Sequence, residues 1–349
     1  MNKQFGTINV RILSFGVIAV AVIIAIVALV RLDITGEKGS GLGVEFIYDI
    51  EALTKVDPDL LIYEESVRPI VTGFTQSWAI ATGQNPPSRF YVAGDRAVKV
   101  FSGEGVVIDE IKLDGAPRCL VVGDDDAVYV GLKEHIEVYN GPKKLLASWQ
   151  SLGDNAVLTS IAVYKDDVFV ADAGNRVVVR YDKAGNVVNH IGSKDEEKNI
   201  AGFVIPSPYF DLAVGGDGLL RVANPGRHRI EAYTFDGDLE FWWGKASNAI
   251  EGFCGCCNPV NFAMLDDDSF ITCEKGLIRV KLYDADGKFA GVVAGPEQLV
   301  EAGQARICNL PAQCRVGGFD VAVSTDGRVF VLDTIKNIVR VFSRIKTKQ

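Results

Sequence analysis

Short apolar runs of one kind recur along this chain: FYVAGD from Phe90, VYVGLK from Val128, VFVADA from Val168, LLRVAN from Leu219, FITCEK from Phe270 and VFVLDT from Val329. Each is followed by a segment in which apolar and polar positions alternate, namely AVKVF from Ala97, IEVYN from Ile136, RVVVRYD from Arg176, RIEAYTFDG from Arg229, LIRVKLYDADG from Leu277 and IVRVF from Ile338. A period of two sends successive side chains to opposite faces, which predicts strands and not helices. A further strand precedes most runs and ends in an acidic or glycine turn, as in LVVGDDD, IAVYKDD, LAVGGDG, FAMLDDD and VAVSTDG. Gly, Asp and Asn tolerate the positive φ of tight hairpins, so these turns join antiparallel neighbours.

The glycines that close the next hairpin fall at positions 105, 141, 185, 237 and 287, spaced by 36, 44, 52 and 50 residues. A unit of that size holding four antiparallel strands is a propeller blade, and six runs predict six blades. The last repeat supplies three strands and stops near Phe342, while LLIYEESVR, Leu60 to Arg68, is an unclaimed strand ahead of the first blade. Pairing the two closes the ring and removes an exposed sheet edge.

Ahead of the repeats, Ile12 to Val30 are nineteen residues without a charge. At about 1.5 Å per residue such a helix nearly matches a hydrocarbon core of about 30 Å. Its apolar length exceeds that of a signal peptide and no small-x-small cleavage site follows, so an uncleaved anchor is expected. Lys3 and Arg11 precede the span without acids, whereas Arg31 and Lys38 are mixed with Asp33 and Glu37. That asymmetry places the N-terminus inside and the globular part on the extracytoplasmic, or periplasmic, side of the inner membrane. The expected organisation is a tail over 1–11, a transmembrane anchor over 12–30, a linker over 31–59 and a propeller over 60–349. The net charge is −9, and since residues 1–33 carry +2 the remainder carries −11, which argues against nucleic acid as a partner.

The stretch SIAVYKDDVFVADAGNRVVVRYDKAGNVVNHIGS, from Ser160 to Ser193, resembles an NHL repeat, and GFDVAVSTDGRVFVLDTIKNIVRVF is similar. The resemblance implies an all-β, six-bladed β-propeller of NHL-like repeats preceded by one transmembrane helix. Related propellers serve as ligand sensors, docking modules for protein or RNA, lyases and lactonases, so it does not imply one function. The peptide-amidating lyases among them are implied to hold zinc with three histidines. Here His135 and His228 fall between second and third strands, but His190 falls in an outer strand, and the three do not converge. Calcium-dependent lactonases would need inward Asn, Asp and Glu; Asn175, Asn224 and Asp333 sit at the right strand ends, where they also serve ordinary turns. No GxSxG, P-loop or HExxH is present.

Arg176, Arg227, Arg229, Arg279 and Arg340 recur just after second strands, which suits pairing with blade carboxylates or turn carbonyls. Of Trp242 and Trp243, adjacent in a strand, at least one faces an interblade surface. Six of seven cysteines follow Gly252: Cys254, Cys256 and Cys257 in GFCGCCNP, Cys273, and Cys308 and Cys314 in CNLPAQC. Propeller topology brings these to one face of blades five and six. Three states are open to them: a disulfide across the two blades, favoured outside the cytoplasm; a four-thiolate zinc or iron–sulfur site; and unpaired loop thiols. Cys119, inside an inner strand, reads as a small buried hydrophobe. The function expected is a membrane-tethered, noncatalytic binding or docking module for a protein or a small molecule. A metal or iron–sulfur redox component using the cysteine cluster is the alternative. Intact-mass analysis of membrane-extracted protein is expected to recover the uncleaved N-terminus; a start near Asp33 would show that the span is removed.

Overall fold

A four-stranded sheet with apolar residues on both faces needs a neighbour on each side. The computed structural model describes residues 19–24, 50–83, 89–141, 144–194, 196–197, 201–301 and 318–346, and it satisfies this need with six antiparallel sheets. Blade 1 runs from its inner strand outward as Ser77–Thr82, Arg89–Gly94, Ala97–Ser102 and Val107–Lys112. Blade 2 is Cys119–Val122, Ala127–Gly131, Ile136–Asn140 and Leu145–Ser148. Blade 3 is Leu158–Tyr164, Asp167–Asp172, Val177–Asp182 and Val187–Ile191. Blade 4 is Leu212–Val214, Leu220–Asn224, Arg229–Tyr233 and Leu239–Trp243. Blade 5 is Asn261–Met264, Phe270–Cys273, Val280–Tyr283 and Phe289–Ala294. Blade 6 takes Asp320–Val323, Val329–Asp333 and Ile338–Arg344 from the C-terminal end.

The fourth strand of blade 6 is Tyr63–Glu65, which pairs antiparallel with the C-terminal strand in the register Tyr63 to Arg344 and Glu65 to Phe342. Ile70–Val71 continues along the same strand, opposite Val339 and Ile338. The N-terminal segment thus closes the ring, as its sequence predicts. The six inner strands contact one another in sequence order, and the last contacts the first.

Packing follows the alternation. Tyr91 and Ala93 face blade 2 beside Leu120 and Val130, while the intervening Val92 faces blade 6 beside Phe330 and Val341. Every pair of neighbouring blades encloses such an apolar layer. The hairpin glycines have positive φ, Gly185 at 86° among them. A side chain there would be doubly opposed, since a Cβ would fall 2.5 Å from the ring of Trp149 in the preceding blade.

The chain divides into residues 1–49 and residues 50–349. In the first unit, residues 19–24 are helical, with Val20, Val22, Ile23 and Ile24 exposed. No helix among the described residues is long and apolar enough to cross a membrane; the remainder of the 12–30 run lies outside them. In the second unit, the short helix Ile50–Thr54 leads into the closing strand.

Tyr63 is 3% exposed and packs in the layer between blades 5 and 6. Tyr63→Ala is expected to lower the unfolding free energy by about 3 kcal/mol in a denaturant titration. Deletion of residues 56–68 is expected to expose the edge of the last blade and cause aggregation; a soluble deletion variant with unchanged melting temperature would contradict closure by this strand.

Candidate functional site

In a four-stranded meander the loops after the second and the fourth strands leave on the same face. Residues 244–260, between blades 4 and 5, carry GFCGCCNP on that face. The turn Glu274–Arg279 of blade 5 and the segment 201–211 ahead of blade 4 share it.

A buried ion network shapes the cysteine loop. Glu274 accepts from Arg279 at 2.6 Å and 3.0 Å and lies 3.1 Å from Lys281 Nζ. The three side chains are at most 2% exposed. Two cations face one carboxylate, and carbonyl oxygens of the loop absorb the surplus positive charge. Arg279 donates to Asn248 O at 3.3 Å, and Lys281 donates to Ile250 O at 3.1 Å and Gly252 O at 2.6 Å. Glu274 in turn accepts from the Cys254 backbone N–H at 2.7 Å. Burial raises the Glu274 pKa, but the neighbouring Lys281 and Arg279 outweigh it and hold the carboxyl below its ordinary value. Burial pulls Lys281 down to about 8 against the opposing effect of Glu274. Removing one partner of such a network leaves an uncompensated buried charge, so the loop backbone is fixed wherever the network is intact.

Asn258 adds a second clamp. Its Nδ2 donates to Cys254 O at 2.5 Å and Lys275 O at 3.1 Å, and its Oδ1 accepts from the Lys275 backbone N–H at 2.9 Å. The cysteine loop and the Lys275 turn are therefore one unit. Within it, Cys256 and Cys257 place their sulfurs 3.2 Å apart. Cys256 is exposed and Cys257 is buried. Ser207 Oγ donates to Cys257 Sγ at 3.6 Å and accepts from Lys275 Nζ at 2.8 Å. Lys275 also lies over the Tyr209 ring, 4.6 Å from its centroid, and the Tyr209 hydroxyl accepts from Gly318 N at the entry to blade 6. Burial opposes ionisation of Cys257, yet the Ser207 hydrogen bond and the Lys275 charge carry the thiol below its ordinary value.

Cys254 is engaged elsewhere, donating to Asn248 Oδ1 at 3.0 Å, and burial followed by the Glu274 charge raises its pKa. Cys273 is fully buried in the apolar layer with Val260, Val280 and Phe319, where burial raises its thiol well above the ordinary value. Of the cysteines expected to cluster, the structure thus joins Cys256 to Cys257 and gives Cys254 and Cys273 other surroundings. No disulfide joins any two of the described cysteines. The bond expected across blades 5 and 6 joins one of Cys254, Cys256 and Cys257 to Cys308 or Cys314, and the last two lie outside the described residues. No group of three or more His, Cys, Asp or Glu with metal-ligand geometry occurs among the described residues. Cys119 is buried, 3% exposed, in the core between blades 2 and 3.

The sequence reading missed the ring at the mouth of the central channel. The six inner strands line a cavity of about 260 Å³ that includes Asp211 and Asp320. Each of these carboxyls clasps the next blade: Asp211 accepts from Phe262 N at 2.7 Å and Asp320 from Ile80 N at 2.8 Å. Asn261 donates to Phe319 O at 2.7 Å in the same manner. Burial pushes Asp211 up to about 6, and burial together with the Asp211 charge pushes Asp320 up to about 7. The signal available in the sequence was the repeated FD before an inner strand, in YFDLAV and GFDVAV.

The remaining candidates hold structural positions. His228 Nε2 is 2.7 Å from Gly255 O, His135 lies 3.7 Å from Glu137, and His190 pairs in the outer strand of blade 3. Asn175 donates to Asp172 at 2.6 Å, Asn224 donates to Glu231 at 2.9 Å, and Asp333 accepts from Ile335 and Lys336 N. Arg229 pairs with Glu231 at 2.6 Å and Arg340 with Glu65 at 3.5 Å. Trp243 packs in the layer between blades 4 and 5, and Trp242 is exposed with Arg229 stacked 4.5 Å from its ring.

Among solved structures the chain is similar to a streptogramin B lyase, at a TM-score of 0.55 and 9% identity over 81% of this chain and 98% of that one. It is also similar to virginiamycin B lyase from Staphylococcus aureus, at 0.54 and 12% over 81% and 100%. A Bacteroides thetaiotaomicron protein of unknown function matches at 0.55 and 14% over 80% and 73%. At these identities the likeness establishes the six-bladed propeller fold and nothing finer. No protein-family model and no curated sequence matches the chain, so the NHL resemblance rests on its repeats.

An aspartate whose pKa is raised on folding holds more protons in the native state than in the unfolded one. Its stabilising contribution is complete below the unfolded value, near 3.8, and is lost as pH rises through the folded values of about 6 and about 7. Melting temperature followed from pH 4 upward is therefore expected to fall toward neutrality. Asp320→Asn is expected to flatten that decline, while losing about 1 kcal/mol at pH 5 for the missing acceptor.

Proposed function

We propose that this chain is a membrane-tethered, extracytoplasmic propeller that binds a protein or small-molecule partner on its cysteine-bearing face without transforming it. One observation supports this reading above the others: Glu274, Arg279 and Lys281, all buried, hold the backbone of an exposed surface loop through Asn248, Ile250, Gly252 and Cys254. Burying charge is costly, and here its product is a loop of fixed shape. A recognition loop ordered before binding loses less freedom on binding and so gains affinity. The lyases of similar fold are enzymes, but a likeness of 9% to 12% identity carries no reaction to this chain. The tether rests on the apolar run Ile12 to Val30 and the charges around it.

A second reading, a metal or iron–sulfur redox component, draws support from the 3.2 Å spacing of the Cys256 and Cys257 sulfurs beside Lys275. It would enlist Cys308 and Cys314 as further ligands, and stoichiometric zinc or iron in the full chain would select it.

Photo-crosslinking residues placed at Ala246 and Ala249, exposed in the cysteine loop, are expected to give partner adducts in intact cells. Placed at Ala184 and Ala285, exposed in hairpins of the opposite face, they are expected to give none. Equal adducts from both faces would remove the assignment of the binding face.

A further inference from the structure

The adjacent thiols do more than decorate a loop. Cys257 Sγ receives a hydrogen bond from Ser207, which itself receives one from Lys275, so a buried cation is relayed onto that sulfur. Cys256 Sγ is 3.2 Å away on the exposed side. The Asn258 clamp fixes Lys275 and the cysteine loop relative to each other. Negative charge is therefore favoured on the sulfur inside the protein, and the other sulfur is presented to solvent within reach of it.

We propose that Cys256 and Cys257 form a redox-active dithiol that reduces an accessible disulfide bond, with Cys256 as the attacking sulfur and Cys257 as the resolving one. The Cys257 thiolate first takes the Cys256 proton. Cys256 then attacks one sulfur of the substrate disulfide, forming a mixed disulfide and expelling the first substrate thiolate, which takes the proton back from Cys257. The Cys257 thiolate attacks Cys256 Sγ, forms the Cys256–Cys257 bond and expels the second substrate thiolate. Two electrons pass from the two cysteines to the substrate, which leaves as one thiol and one thiolate, so the single proton and single negative charge of the starting pair are conserved. Consecutive Cα atoms lie about 3.8 Å apart, below the roughly 4.4 Å at which ordinary disulfides begin. A bond between neighbours is accordingly strained and readily reduced, so the dithiol is a weak reductant and its oxidation is driven by an excess of the substrate disulfide. Lys275 and Ser207 act as positioning residues, and the chemistry is independent of the noncovalent docking proposed for the same face.

The test uses the reduced full chain in detergent, treated separately with an excess of oxidised glutathione as a small disulfide and of insulin as a protein disulfide. Peptide mapping is expected to recover Cys254–Cys257 lighter by two hydrogens, with two substrate thiols released. Reaction with only one of the probes would assign the substrate as a small or a protein disulfide. Cys257→Ser is expected to stop at a mixed disulfide on Cys256. Lys275→Gln is expected to slow the reaction about tenfold at pH 7 and move its pH midpoint upward, with Lys275→Arg restoring much of the rate. Unchanged circular dichroism of each variant separates these effects from misfolding. The proposal is overturned if neither probe reacts, if wild type stops at the mixed disulfide as Cys257→Ser does, if Cys256 is found bonded to a cysteine other than Cys257, or if the pair holds stoichiometric zinc or iron.

Discussion

Each blade is apolar on both faces, and such a sheet is stable only between two others. That constraint turns six repeats into a closed ring and makes the ends of the chain meet. Without Tyr63–Glu65 on the C-terminal strand, the last blade would present an unpaired edge and the layer around Tyr63 would lose a wall. The apolar layers between blades are equivalent in kind, so stability is shared around the ring and depends on its closure.

Closure also decides where polar chemistry is affordable. The inner strands approach one another around a narrow channel, and their first residues clasp the next blade through Asp211, Asn261 and Asp320. Blade 5 buries charge within its strands, as blade 4 does with Arg221 and Glu231. Lys281 occupies a buried strand position, and its charge is compensated by Glu274 and by carbonyls of the cysteine loop. The network therefore acts on the loop's shape, and buried ionic groups of this sort are better understood as fixing one conformation than as adding stability.

Cys257 gains its character from that frame. A thiol so buried would ordinarily resist ionisation, and the Lys275–Ser207 relay reverses the tendency. The binding and the thiol exchange proposed for this face place different demands on it. The proposed binding would use the fixed contour of residues 244–260, whereas the proposed exchange would use one exposed sulfur and one sheltered sulfur. Both demands are met by holding the loop rigid, and blade 5 does so from beneath.

The alternation of apolar and polar positions, the hairpin glycines and the orphan early strand determined the all-β class, the blade count and the closing pair from sequence alone, because these are local patterns with a period of two. The positive φ of Gly105, Gly141, Gly185, Gly237 and Gly287 was legible for the same reason. The placement of Cys254, Cys256 and Cys257 on one face was legible from topology, as was the burial of one of Trp242 and Trp243 and of Cys119. Which thiols meet was not. Cys254, Cys256 and Cys257 lie within four residues of sequence, yet only side-chain direction in the folded loop joins the last two and turns the first toward Asn248. The partnership of Lys275 with Ser207, 68 residues away, and the clasping of blades by Asp211 and Asp320 likewise belong to the tertiary structure. Ionic and hydrogen-bonded contacts depend on distances of a few ångströms between segments remote in sequence, and no periodicity along the chain encodes those distances.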